Sequence, residues 1–224
     1  FKAVARNLDV AEAKSPEDIY KSHLAEGGAS LGLRADRNKN MDSNMHNLAS
    51  TFVSAFANAG TGCDTLMTPH DSGWVHKVKG VGKTSAVASL GMVMLWDIHE
   101  GLNIFDKYMA VNESELKAGA CIGIGALCHG VEDDDMSFAL LVDCMEGTDP
   151  SVRMGSIIGL SMSYAGQRRE DLQELFEESI AERSVEESSM AALALGMVHI
   201  GTCNEDAGMS LAQKFMSAKD EELD

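Results

Sequence analysis

ASTFVSAFANAG (49–60), SAVASLGMVMLW (85–96), GACIGIGALCHG (119–130), GSIIGLSMSYAG (155–166) and MAALALGMVHIG (190–201) are five versions of one twelve-residue segment. Each is rich in Ala, Gly and Ser, and all but the second end in Gly. Their seventh residues are Ala55, Gly91, Gly125, Ser161 and Gly196, spaced 36, 34, 36 and 35 residues apart. A near-constant period of this length marks a stacked array of supersecondary units. The segments lack strand alternation and carry no turn chemistry inside. A helical glycine costs about 1 kcal/mol relative to alanine. Its recurrence at one place implies that propensity is exchanged for close approach of neighbouring helices.

After each terminal position a short polar turn leads to a second, more amphipathic helix. In EDLQELFEESIA (170–181), Leu172, Leu175, Phe176 and Ser179 share one face, and Glu170, Glu174, Glu177 and Glu178 cover the rest. MSFALLVDCME (136–146) and EGLNIFDKYM (100–109) are its counterparts. The expected fold is all-α: a solenoid of about five helix-pair repeats of roughly 35 residues, with tight inner and acidic outer helices. It occupies 48–224. Residues 1–26 form a helical lead-in, with Ser15 as N-cap and Pro16 at the first position of SPEDIYKSHL. Residues 27–47, which have few apolar side chains and no period, read as a flexible loop. Met92, Met94, Met162 and Met197 are expected to fill core gaps.

The chain has 224 residues, 45% of them apolar, and a formal net charge of −17. Such charge repels phosphate, which argues against nucleic acid and anionic lipid as partners. No apolar run is long enough for a membrane span. The opening FKAVARNLDV carries neither a start methionine nor a signal peptide, and the chain reads as a piece of a longer protein. Residues 1–90 hold ten basic and nine acidic side chains, whereas 91–224 hold eight and twenty-six. Three acidic blocks stand out, Glu132 to Asp149, Glu170 to Glu187, and one that ends the chain. Each reads either as a solvated face or as a surface for a basic partner.

No motif for catalysis emerges. GVGKTS (80–85) ends like a phosphate-binding loop, but Lys77 stands where that loop needs glycine and no apolar strand precedes it. Thr84 reads instead as the N-cap of the second inner helix. GIGAL (123–127) lacks the third dinucleotide glycine. Asp133, Asp134 and Asp135 have no calcium-loop spacing and support no more than weak, nonspecific cation binding. The five cysteines form no CxxC pair and an odd set for disulfides, as in a reducing compartment. We expect no enzyme activity, no metal site and no cofactor.

GIGAL, IIGLSMSYAG and ALALGMVHIGTCN at this period resemble the proteasome/cyclosome repeat. Two large non-ATPase subunits of the proteasome regulatory particle and the largest subunit of the anaphase-promoting complex carry it. ASLGMVMLWDIHEGLNIFDKYM and SELKAGACIGIGALCHGV are most similar to the ubiquitin-docking branch of that family. The resemblance implies a toroidal solenoid without enzymatic activity, placed beside the proteasomal ATPase subunits in the cytoplasm and nucleus. It implies outer helices that bind ubiquitin chains and the ubiquitin-like domains of shuttle receptors and of a proteasomal deubiquitinase. The family surface sets acidic and apolar side chains against ubiquitin's basic-rimmed apolar patch. Here the matching surface comprises Ile104 and Asp106 on one outer helix, and Asp133, Asp134, Asp135, Leu140, Asp143 and Glu146 on the next. Glu170, Glu174 and Glu178 complete it on the third. The alternative is a purely structural repeat scaffold, of the proteasome or of the anaphase-promoting complex, that binds no ubiquitin.

Overall fold

A computed structural model describes residues 2–8, 12–14, 19, 43–68, 73–131 and 135–221. The helices are α1 (Lys2–Asn7), α2 (Ser43–Ala57), α3 (Trp74–Lys77), α4 (Val81–Val93), α5 (Ile98–Met109) and α6 (Ser114–Leu127). They continue with α7 (Met136–Met145), α8 (Pro150–Ser163), α9 (Glu170–Glu182), α10 (Val185–Val198) and α11 (Glu205–Glu221). No strand occurs among the described residues. The fold is an all-α helical-repeat array.

The inner helices α2, α4, α6, α8 and α10 stack side by side in chain order, each packed on the next. Glycine makes that approach possible. A Cβ on Gly91 would collide with the carbonyl oxygen of Gly123, and one on Gly125 with that of Gly159. A Cβ on Gly155 would lie 2.7 Å from the carbonyl oxygen of Ala118. The outer helices α5, α7 and α9 seal this row with large side chains. Phe105, Leu141 and Phe176 are fully buried, and Phe105 and Leu141 rest on the bare backbone of Gly123 and Gly159. Burying one such side chain contributes about 1.5–3 kcal/mol.

The turns repeat as well. The twelfth residue of each copy is left-handed: Gly60, Gly130, Gly166 and Gly201 have φ between 70° and 77°, and Trp96 holds 67° in the one copy without glycine. Amides in these turns donate to the C-terminal carbonyls of the following inner helix. Gly60 and Gly62 bond Met92 and Val93, and Gly166 and Arg168 bond Met197 and Val198. The orphan carbonyls at the C-terminus of an inner helix are therefore satisfied by the turn of the preceding repeat.

Several expectations are corrected. After α2 the described residues show turns and only the short α3, not a full outer helix. Asp64 accepts the amides of Leu66, Met67 and Thr68, which satisfies them locally in place of a helical ladder. α2 begins at Ser43, inside the stretch expected to be loop up to residue 47. The N-cap of α4 is Gly80, not Thr84, whose hydroxyl instead donates to the Glu115 carbonyl on α6 at 3.0 Å. Of the four methionines expected in the core only Met94 is buried. Met92 and Met162 are half-buried, and Met197 is exposed at the far end of the stack. SPEDIYKSHL and residues 27–42 lie outside the described residues, apart from Ile19.

Candidate docking surface

Three outer helices, α5, α7 and α9, carry the candidate surface. On α7 the buried positions are Ser137, Leu141 and Met145, spaced by four residues. That spacing turns Met136, Ala139, Leu140, Asp143 and Glu146 outward, and all five are exposed. Leu140 is 39% exposed and Met136 46%, so two large apolar side chains one turn apart stand beside two carboxylates. On α9, Leu172, Phe176 and Ser179 are buried. Glu170, Glu174 and Glu178, spaced by four, are exposed. On α5, Asp106 is exposed, whereas Ile104 is half-buried against the core and offers less apolar surface than expected. Asp133 and Asp134 lie outside the described residues.

Asp135 is described, and it is not a free carboxylate. It is the N-cap residue of α7, and its side chain pairs with Arg169 at the head of α9. The Arg169 guanidinium also forks onto Asp171, with Nε to Oδ1 at 2.9 Å and Nη2 to Oδ2 at 2.6 Å. It stacks 5.0 Å from the centroid of Phe138 and 4.8 Å from that of Tyr164. Beneath it, the Tyr164 hydroxyl accepts from Ser137 Oγ at 3.0 Å and from the Phe138 amide at 3.1 Å. The Arg169 charge beside Asp171 holds that carboxyl below the usual range. Arg169 thus joins the ends of two outer helices and fixes their spacing.

Sequence reasoning missed Met136 and Arg169. Met136 carried a signal, because it precedes Leu140 by four and Asp143 by seven residues. Arg169 did not, since its partners lie 34 residues upstream or in its own turn. The charge of the α7 face is one-sided: no Lys or Arg occurs between residues 131 and 150. Among the described residues no group of three or more metal-ligating side chains is assembled, and no helix is long and apolar enough to cross a membrane. The arrangement can bind a basic surface through carboxylates and grip an apolar spot through Met136 and Leu140.

These features define the class: an all-α array of small-residue inner helices whose outer helices present acidic faces. A family model described as the RPN1 N-terminal domain matches residues 1–25. The chain is 39% identical over 223 residues to the 26S proteasome regulatory subunit rpn-1 of Neurospora crassa, covering 96% of this chain and 24% of that protein. It is 37% identical over 220 residues to the 26S proteasome non-ATPase regulatory subunit 2 of Dictyostelium discoideum, with coverage of 96% and 24%. Homolog B of that subunit in Arabidopsis thaliana is 49% identical over 149 residues, 63% of this chain and 16% of that protein. Over nearly its whole length the chain is thus similar to proteasome regulatory subunits of the Rpn1 type. It spans about a quarter of the length of the first two relatives.

Proposed function

We propose that this chain is a docking segment of a non-catalytic proteasome regulatory subunit, working in the cytoplasm and nucleus beside the proteasomal ATPase subunits. Its outer helices receive ubiquitin chains and the ubiquitin-like domains of shuttle receptors and of a deubiquitinase. The observation that carries this reading is the exposed face of α7, where Met136 and Leu140 stand beside Asp143 and Glu146. That face is complementary to a basic-rimmed apolar patch. Carboxylates raise the encounter rate and deter wrong partners, while the two apolar side chains supply short-range specificity. A contact of this size buries below about 1,200 Å² and is weak and reversible. Linked ubiquitin units could engage α7 and α9 together and gain by effective concentration.

The second reading, a purely structural repeat scaffold, is favoured by the far end of the stack. Leu193, Ile200 and Phe215 are 65%, 67% and 75% exposed, and Gly196 has nothing within 4 Å of where its Cβ would lie. Calorimetric titration of ubiquitin into the wild-type chain and into Asp143→Arg/Glu146→Arg separates the two. The receptor reading expects binding that the reversal weakens at least tenfold, with the helical spectrum kept. Equal affinity in a folded double variant removes this face from the account.

A further inference from the structure

The row of inner helices ends in two faces that are the two halves of its own junction. Inside the row, the turn that closes one repeat reaches the next inner helix. The amides of Gly166 and Arg168 donate to the carbonyls of Met197 and Val198 at 3.0 and 3.1 Å. Gly201 and Cys203 hold the same two places in the last copy. Their backbone is already set in the same way: φ is 75° at Gly201 against 77° at Gly166, and 54° at both Cys203 and Arg168. A side-chain-bearing residue seldom adopts that conformation. Among the described residues neither amide has an acceptor. Gly196 repeats the pattern. Gly91 and Gly125 lie against the carbonyls of Gly123 and Gly159 on the following helix, whereas nothing lies within 4 Å of the Cβ position of Gly196. Beside it an open cleft of about 730 Å³ between α10 and α11 is lined by Leu193, Met197, Ile200, Leu211 and Phe215.

The other end of the row offers the matching half. Phe56 and Ala57 of α2 stand where Met92 and Val93 stand on α4 and Met197 and Val198 on α10. Among the described residues no turn donates to their carbonyls. Ala49, Phe52, Phe56 and Ala57 are exposed along α2, Phe56 to 68%. Ala49 occupies the place from which Gly119 and Gly155 approach the carbonyls of Thr84 and Ala118 on the preceding helix. One end thus has preformed donors and an open glycine. The other has free acceptors on a helix with small residues at the contact.

We propose that this chain assembles head to tail, with α2 of a second copy seated in the α10–α11 cleft as the next inner helix of the row. Gly201 and Cys203 of one copy cap the Phe56 and Ala57 carbonyls of the next, and Gly196 admits the backbone at Val53. The occupant follows from continuity: the contact is the junction already repeated along the row, closed between copies. Such an interface is heterologous, so each added copy presents a fresh cleft and growth continues until a ring closes. No residue of the α7 face takes part, so the inference is independent of ubiquitin docking.

The test is sedimentation velocity on the 224-residue chain over a concentration series, in reductant so that the exposed Cys63 and Cys203 cannot link copies. The mass is expected to rise beyond one copy with concentration. Gly196→Leu fills the cleft end of the junction, and Phe56→Asp puts a charge on the α2 end. Both positions are open in the single chain, so each variant should keep its helical spectrum and sediment as a monomer. Mixed, the two variants bring one intact end each and should form a dimer that grows no further. A folded wild-type chain that stays monomeric at every concentration overturns the proposal, and is the result expected if only another repeat of a longer chain fills the cleft. Association that persists in either variant alone, or a mixture that stays monomeric, overturns it as well.

Discussion

Arg169, at the head of α9, pairs with Asp135 at the head of α7 while lying over the rings of Phe138 and Tyr164. One side chain thus sets the spacing of two outer helices whose exposed faces carry Leu140, Asp143 and the Glu170, Glu174, Glu178 row. Arg169→Lys keeps the charge but loses the planar fork and most of the stack. It should cost about 1–2 kcal/mol, read as a lower midpoint in urea. If the midpoint is unchanged, the clamp contributes nothing to the register.

The glycine at the seventh repeat position has opposite meanings in two copies. In Gly125→Ala the new methyl meets the carbonyl of Gly159, so α6 and α8 must separate. Loss of several kcal/mol follows from overpacking between two helices. In Gly196→Ala the methyl meets nothing within 4 Å, and helix propensity should stabilise the chain by up to about 1 kcal/mol. Thermal unfolding of both variants checks the pair. Equal effects would mean that the row of inner helices is spaced differently.

The inner row was legible in the sequence because close packing left a periodic mark, the small residues at Gly91, Gly125 and Ser161. The outward turn of Leu140, Asp143 and Glu146 followed from helical spacing alone. The missing outer helix after α2 was not legible, because Asp64 satisfies three amides that helical ladders would otherwise use. Nor was the start of α4: Thr84 looks like a cap but serves as a link to α6. The half-burial of Ile104 depends on how α5 rolls against the core, which no local pattern encodes. The role of Arg169 depends on a contact 34 residues away.

Arg153 on α8 and Glu187 on α10 form a buried pair, with Nε to Oε1 at 2.7 Å and Nη2 to Oε1 at 2.6 Å. Their side chains are 14% and 4% exposed. Glu187→Ala leaves the guanidinium with the Gly147 carbonyl, 2.9 Å away, as its remaining direct protein partner. The expected cost is about 3–5 kcal/mol, and denaturant titration measures it. A cost below about 1 kcal/mol would place the pair among surface ion pairs.

His199 is buried, with Nδ1 3.2 Å from the Asn204 amide nitrogen and Nε2 unbonded. Burial first, and Arg168 second, hold its pKa below 6.5, against the opposing charge of Glu177. The unfolded chain therefore binds more protons, so this contribution is fully present above pH 6.5 and is lost as pH falls toward the folded value. His199→Gln should flatten the loss of stability between about pH 7 and 5. An identical pH profile in the variant would contradict the assignment.

The most direct measurement is an NMR titration of isotope-labelled ubiquitin, and separately of a ubiquitin-like domain, with this chain at two salt concentrations. The account predicts shifts centred on the basic-rimmed apolar patch of the labelled domain. They should weaken with salt and be lost with Asp143→Arg/Glu146→Arg or with Met136→Ala/Leu140→Ala. Absence of shifts with a folded chain, or shifts indifferent to all four substitutions, would contradict docking on α7.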